Sequence, residues 1–163
     1  MVERKNIMTR GTIYELEKDI HNVGKKTKYD FSNYEGDCFD YVTEVESLEQ
    51  ETNCLINYFN WLGMKTGTIV ILDEMKRVPY VDITEEGRKA YFKGRYEKFM
   101  QLTGQLTLED FSSDAGKALE LRILINNSCC DAVTNEINRF DGFDDFMRTA
   151  SGRYYIGNVF YMK

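Results

Sequence analysis

Residues 68–83 read TIVILDEMKRVPYVDI, two β-forming runs joined by a charged stretch. The first run, TIVIL at 68–72, is continuously apolar and rich in β-branched side chains, which suits a buried strand. The second, VPYVDI at 78–83, alternates between apolar and polar positions, and the intervening DEMKR is turn-like. Together they predict a β-hairpin with a loop of about five residues. Pro79 cannot donate to a ladder, so it puts the second strand at a sheet edge or puts the proline at the strand's start. A local hairpin builds an antiparallel sheet, whereas a doubly wound parallel sheet would separate its strands by helices.

Helix signals flank the hairpin on both sides. Thr84 followed by Glu85 and Glu86 is an N-cap with acids against the helix dipole, opening a helix to about residue 103. Phe92, Tyr96, Phe99 and Thr103 form its expected core stripe, and Arg88, Lys89, Lys93, Arg95 and Lys98 occupy much of the rest. Upstream, Ser47 and Gln50 have the spacing of a capping box. Leu55, Tyr58, Phe59 and Leu62 fall on one helical face, and Gly63 supplies the stop. Farther out, residues 10–16 (RGTIYEL) favour a strand, 19–28 a polar loop and 38–42 a short strand. A short helix at 108–111 precedes a longer one at 114–126, capped by Ser112 or Ser113. A helix at 141–150 follows, with Phe143, Phe146 and Met147 at helical spacing. The tail at 153–162 (RYYIGNVFYM) is strand-forming, with Gly157 and Asn158 expected to fold it into a tight hairpin. This mixed order predicts an α+β fold: a mostly antiparallel sheet of about four to five strands packed with four or five helices.

At 163 residues, with 42% hydrophobic and 13% aromatic content, the chain has ample material for a core. Its one proline and the absence of Gly/Ser-rich stretches leave no linker, so residues 1–163 are expected to form a single domain. Residues 1–8 are charged where a signal peptide would be apolar, and no apolar run reaches the length of a membrane span. A cytoplasmic protein without membrane partners is therefore expected. Cys38, Cys54, Cys129 and Cys130 are expected to be reduced thiols, the adjacent Cys129 and Cys130 acting as small hydrophobes packed at the end of an element.

Signals for chemistry are sparse. The chain's one histidine, His21, lies in a lysine-rich polar stretch with no second ligand or nucleophile at a defining spacing. No Cys-x-x-Cys or His-x-x-His pair suggests zinc, and Gly11 and Gly24 belong to no phosphate loop. No cofactor is expected. Asp73, Glu74 and Lys76 after the TIVIL run match the acid and Glu-x-Lys pattern of metal-dependent nucleases, in which acids hold Mg²⁺ and the lysine stabilises charge. A metal-dependent hydrolase is thus one alternative, although a charged hairpin loop produces the same string. The adjacent Asp144 and Asp145 point away from each other on a helix and make a weaker pair.

The charge distribution is more informative. Between Tyr29 and Met64 there is no Lys or Arg, while eight acids accumulate: Asp30, Glu35, Asp37, Asp40, Glu44, Glu46, Glu49 and Glu51. Such a stretch should project a negative field. Asp30, Glu35, Asp37, Asp40, Glu44 and Glu46, with Tyr34 and Tyr41 as aromatic anchors, are the expected partner-binding residues. A net charge of -6 opposes direct nucleic-acid binding, so the basic face of the 84–103 helix is read as solvated. In size, charge and lack of a catalytic motif the chain resembles small acidic accessory proteins of phages and mobile elements, the anti-restriction and anti-CRISPR proteins among them. That resemblance implies a non-enzymatic inhibitor whose carboxylates occupy the phosphate-binding groove of a nucleic-acid-handling protein. A homo-oligomer joined through an aromatic patch is a further alternative.

Overall fold

The computed structural model describes residues 11–34, 41–113, 115–125, 131–134 and 140–162. Within these, seven strands form one sheet: β1 (Gly11–Glu17), β2 (Val42–Glu44), β3 (Lys65–Ile71), β4 (Lys76–Ile83), β5 (Asp131–Thr134), β6 (Phe140–Gly142) and β7 (Gly152–Met162). Five helices accompany it: α1 (Leu48–Trp61), α2 (Glu85–Gln105), α3 (Leu108–Ser113), α4 (Gly116–Ile125) and α5 (Phe143–Thr149). The fold is α+β, and its sheet is antiparallel except where β1 runs parallel to β5. Two of the strands, β2 and β6, are only three residues long.

The sheet order is β3-β4-β7-β1-β5-β6. β7 is its axis, pairing along one side with β1 and along the other with β4 at residues 152–155 and with β2 at residues 160–162. The tail is therefore one long strand and not the expected hairpin. Gly157 and Asn158 instead form a bulge: Tyr14 pairs with Val159 and Leu16 with Ile156, so two residues of β7 oppose Glu15 alone. Gly157 is required there, because a Cβ on it would lie 2.6 Å from the Glu15 carboxyl.

The main core lies on one face of the sheet. Leu16, Val81, Tyr154 and Ile156 meet Leu55 and Phe59 of α1, Tyr91 of α2, and Phe143, Phe146 and Met147 of α5. Burial of these large apolar and aromatic side chains is the main stabilising contribution. A second cluster joins Ile13, Phe160 and Met162 to Val42 of β2 and to Phe31 of a 3₁₀ segment, Lys28–Tyr34. Capping follows the sequence closely. Ser47 Oγ accepts from Gln50 N at 3.3 Å and Thr84 Oγ1 from Gly87 N at 3.0 Å, while Gly63 closes α1 with φ +78°.

Four expectations are corrected. TIVIL is not buried: β3 is an edge strand, with Val70 half exposed and Leu72 mostly exposed. β4 is internal, but pairing with β7 begins only at Tyr80, so Pro79 sits in the half of β4 that has a single neighbour. On α2 the buried residues are Gly87, Tyr91 and Leu102; of the expected stripe Phe92 packs partly buried against the core, while Tyr96 is 62% exposed. Ser112 and Ser113 donate back to the Glu109 carbonyl and so finish α3, instead of capping α4. The strand expected at 38–42 appears as β2, beginning at Val42, and residues 38–40 lie outside the described residues.

Candidate docking surface

The acidic stretch enters the fold in three pieces. Asp30 lies in the 3₁₀ segment, where its carboxylate accepts from Thr27 N at 2.6 Å and from Thr27 Oγ1 at 3.1 Å. It is exposed, but it also closes its own turn. Tyr34 ends that segment, and Glu35, Asp37 and Asp40 lie outside the described residues. Tyr41 is 42% exposed just before β2. Glu44 ends β2 and Glu46 follows it, both exposed.

This arrangement has a local cause. Val42 is anchored opposite Met162 and buried in the second cluster, which carries Glu44, two residues on along the same face, out to the rim of the sheet. Ser47 then starts α1 and places Glu49 in the exposed first turn, where the helix dipole favours an acid. Among the described residues no lysine or arginine forms an ion pair with Glu44, Glu46 or Glu49. Glu51, by contrast, accepts the Tyr161 hydroxyl and helps to seat α1 on the sheet.

Beside the rim runs an open groove of about 440 Å³. It is lined by residues of three segments: Lys26, Thr27, Lys28 and Tyr29; Glu44, Val45 and Leu48; and Asn158, Val159 and Phe160. A stretch free of cations in sequence therefore gains lysine neighbours in space. Lys28 Nζ also sits 5.4 Å above the Tyr29 ring, and Tyr29 is 75% exposed.

A second cavity, of about 320 Å³, is lined by Tyr14, Cys54, Leu55, Tyr58, Tyr91, Arg95 and Phe143. Its polar groups are spent on holding helices together. Arg95 Nε meets Asp144 Oδ1 at 2.8 Å, an Arg95 terminal nitrogen donates to the Leu124 carbonyl at 2.6 Å, and the Tyr91 hydroxyl donates to Asp144. Burial first, and then the Asp144 carboxylate, hold the Tyr91 hydroxyl well above the usual phenol range, so it stays protonated. Asp145 turns the other way to Arg148, as adjacent helix positions require. The sequence carried no signal for this network, because its four members come from three helices far apart in sequence.

The alternative acid site lies on the hairpin turn. Asp73 and Glu74 are exposed in the turn between β3 and β4, and Lys76 Nζ donates to the Val23 carbonyl at 3.3 Å. No group of three potential metal ligands occurs among the described residues. His21 is exposed in a 3₁₀ turn, and Cys54 is a free, exposed thiol. No described helix is long and apolar enough to cross a membrane.

Taken together, fold and surface define an α+β domain with a negatively charged rim at the β2–α1 junction. No family model matches the chain, and no curated protein or solved structure matches it either.

Proposed function

We propose that this chain is a non-enzymatic binding protein that docks, through the rim formed by β2 and the start of α1, on a basic surface of a nucleic-acid-handling protein. One observation supports the reading above others. Glu44, Glu46 and Glu49 fall within six residues, all are exposed, and no described cation pairs with them. Their charge is therefore directed into solvent, where it steers a cationic partner and takes the place of phosphate oxygens. Tyr29 and Tyr41 flank the acids and supply aromatic surface of the kind that anchors interfaces. Inhibition by occupancy, as in an anti-restriction or anti-CRISPR protein, is the activity that such a surface would produce.

The test combines capture with charge reversal. Partners are captured from nuclease-treated lysate of the source cells at two salt concentrations, and affinity is then measured for wild type and for Glu44→Lys/Glu46→Lys/Glu49→Lys. The expected result is a stoichiometric partner whose binding weakens with salt and falls by about tenfold or more in the triple variant, the range for several close charge pairs. Unchanged affinity and an unchanged salt slope in the variant would rule the surface out.

A further inference from the structure

The sheet ends differently at its two edges. β6 is three residues long and leads directly into α5, which leaves little for another chain to pair with. β3 is seven residues long, pairs only with β4 among the described residues, and contains no proline. Native sheets usually blunt an edge of this length with charges, proline or a bulge, because its outward amides and carbonyls are a template for a further strand. β3 carries one charge, Lys65, at its first position, and its pairing with β4 is continuous from Lys65 to Ile71.

We infer that β3 is a self-association edge and that its occupant is β3 of a second copy, antiparallel about a two-fold axis at Thr68. Only that centre uses all seven residues. It sets Thr68 against Thr68, Gly67 against Ile69, Thr66 against Val70, and Lys65 against Ile71 of the second copy. No like charges oppose each other in this register. Lys65 instead meets the Ile71 end of the second copy's strand, from which the turn bearing the exposed acids Asp73 and Glu74 follows, and the symmetry forms that attraction twice. The same pairing leaves Leu72, 82% exposed, just beyond each end of the strand pair. An isologous contact of this kind closes on itself, so it produces a dimer and not a fibre. Its core is one strand pair, so the dimer is reversible and concentration-dependent.

The two-fold axis gives a specific test, because only residue 68 faces its own copy. Sedimentation or light scattering across a concentration series should show wild type passing from monomer to dimer. Thr68 is exposed, and Thr68→Lys and Thr68→Glu should each weaken self-association by roughly fivefold or more, as directly opposed like charges do. An equimolar mixture of the two variants should recover the dimer, which misfolded chains could not do. Amide exchange offers a readout without substitution: β3 amides slow as wild-type concentration rises, while those of β7 do not change. A wild type that stays monomeric throughout, single variants that associate as tightly as wild type, or a mixture that fails to recover would each overturn the inference. A monomer whose β3 amides slow only when an extended peptide is added would assign the edge to a different occupant.

Discussion

Glu15 has no exposed surface, yet it sits in the middle of β1 beside an equally buried Glu17. Its carboxylate survives there because the β7 bulge and the turn at Gly24 aim backbone amides at it: Gly24 N donates at 2.8 Å and Asn158 N at 2.9 Å, and the amides of Lys25 and Lys26 contribute as well. Asn158 completes the link by donating its side-chain amide to the Gly24 and Lys26 carbonyls. Burial still outweighs these amides, and the Glu15 pKa is raised above its ordinary value of 4.5. For an acid with a raised folded pKa, stability is greatest below the unfolded value and is lost as pH rises through the folded one. The difference in unfolding free energy between wild type and Glu15→Gln should therefore move in favour of wild type as pH falls from 7 towards 4.5. Asp82, held below its usual range by Arg153, has the opposite sign, but it is present in both chains and cancels. Denaturant titrations at stepped pH measure the difference, and a flat difference would remove the assignment. None of this was legible in sequence. Gly157 and Asn158 are a turn signal, and only the pairing of β7 with β1 shows that the irregularity they mark is a bulge.

Local signals read well at the level of elements, and signals of facing read poorly. Caps at Ser47 and Thr84 and the stop at Gly63 lie where the sequence puts them, because each depends on a few neighbouring atoms. Which side of α2 is buried depends instead on what α4 and α5 present to it. Apolar and aromatic side chains are spread around this helix, so periodicity allows a stripe through Phe92, Tyr96 and Phe99 as readily as one through Tyr91 and Leu102. The network of Arg95 and Tyr91 with Asp144 turns the second inward, and of the first stripe Phe92 still packs partly buried against the core. The exposure of TIVIL has a similar cause: an apolar run fits burial on two faces, but among the described residues β3 has one neighbouring strand, and β-branched side chains suit an edge as well. The α2 assignment is testable by truncation. Leu102→Ala, at 1% exposure, should destabilise by about 2–5 kcal/mol, as cavity-forming substitutions do. Tyr96→Ala should remain within about 0.5 kcal/mol, the range of an ordinary surface change. Equal losses in thermal or denaturant unfolding would restore the first stripe.

For the molecule as a whole, acidity and the α+β class were readable because both are sums over many residues. The placement of charge was only partly so, since folding puts Lys26 and Lys28 on the same groove as Glu44. Stability is distributed just as unevenly. β1 and β7 hold buried side chains on both faces of the sheet, and α1, α2 and α5 close over one of them. α3 and α4 contain no buried residue, and Leu108, Phe111 and Ile125 are largely exposed. What fastens this pair is packing of α4 along α2 and the Arg95 contact to the Leu124 carbonyl. Elements with few buried apolar contacts open at a lower free energy than the global transition. Native-state hydrogen exchange should accordingly find α3 and the first turns of α4 opening first, with the last turn of α4 slower because Arg95 holds its end. The amides of β1 and β7 should exchange only through global unfolding. If α4 amides were as protected as those of β7, the helices beyond α2 would belong to the cooperative core, and the exposed side chains they carry would need a covering surface that the isolated chain does not provide.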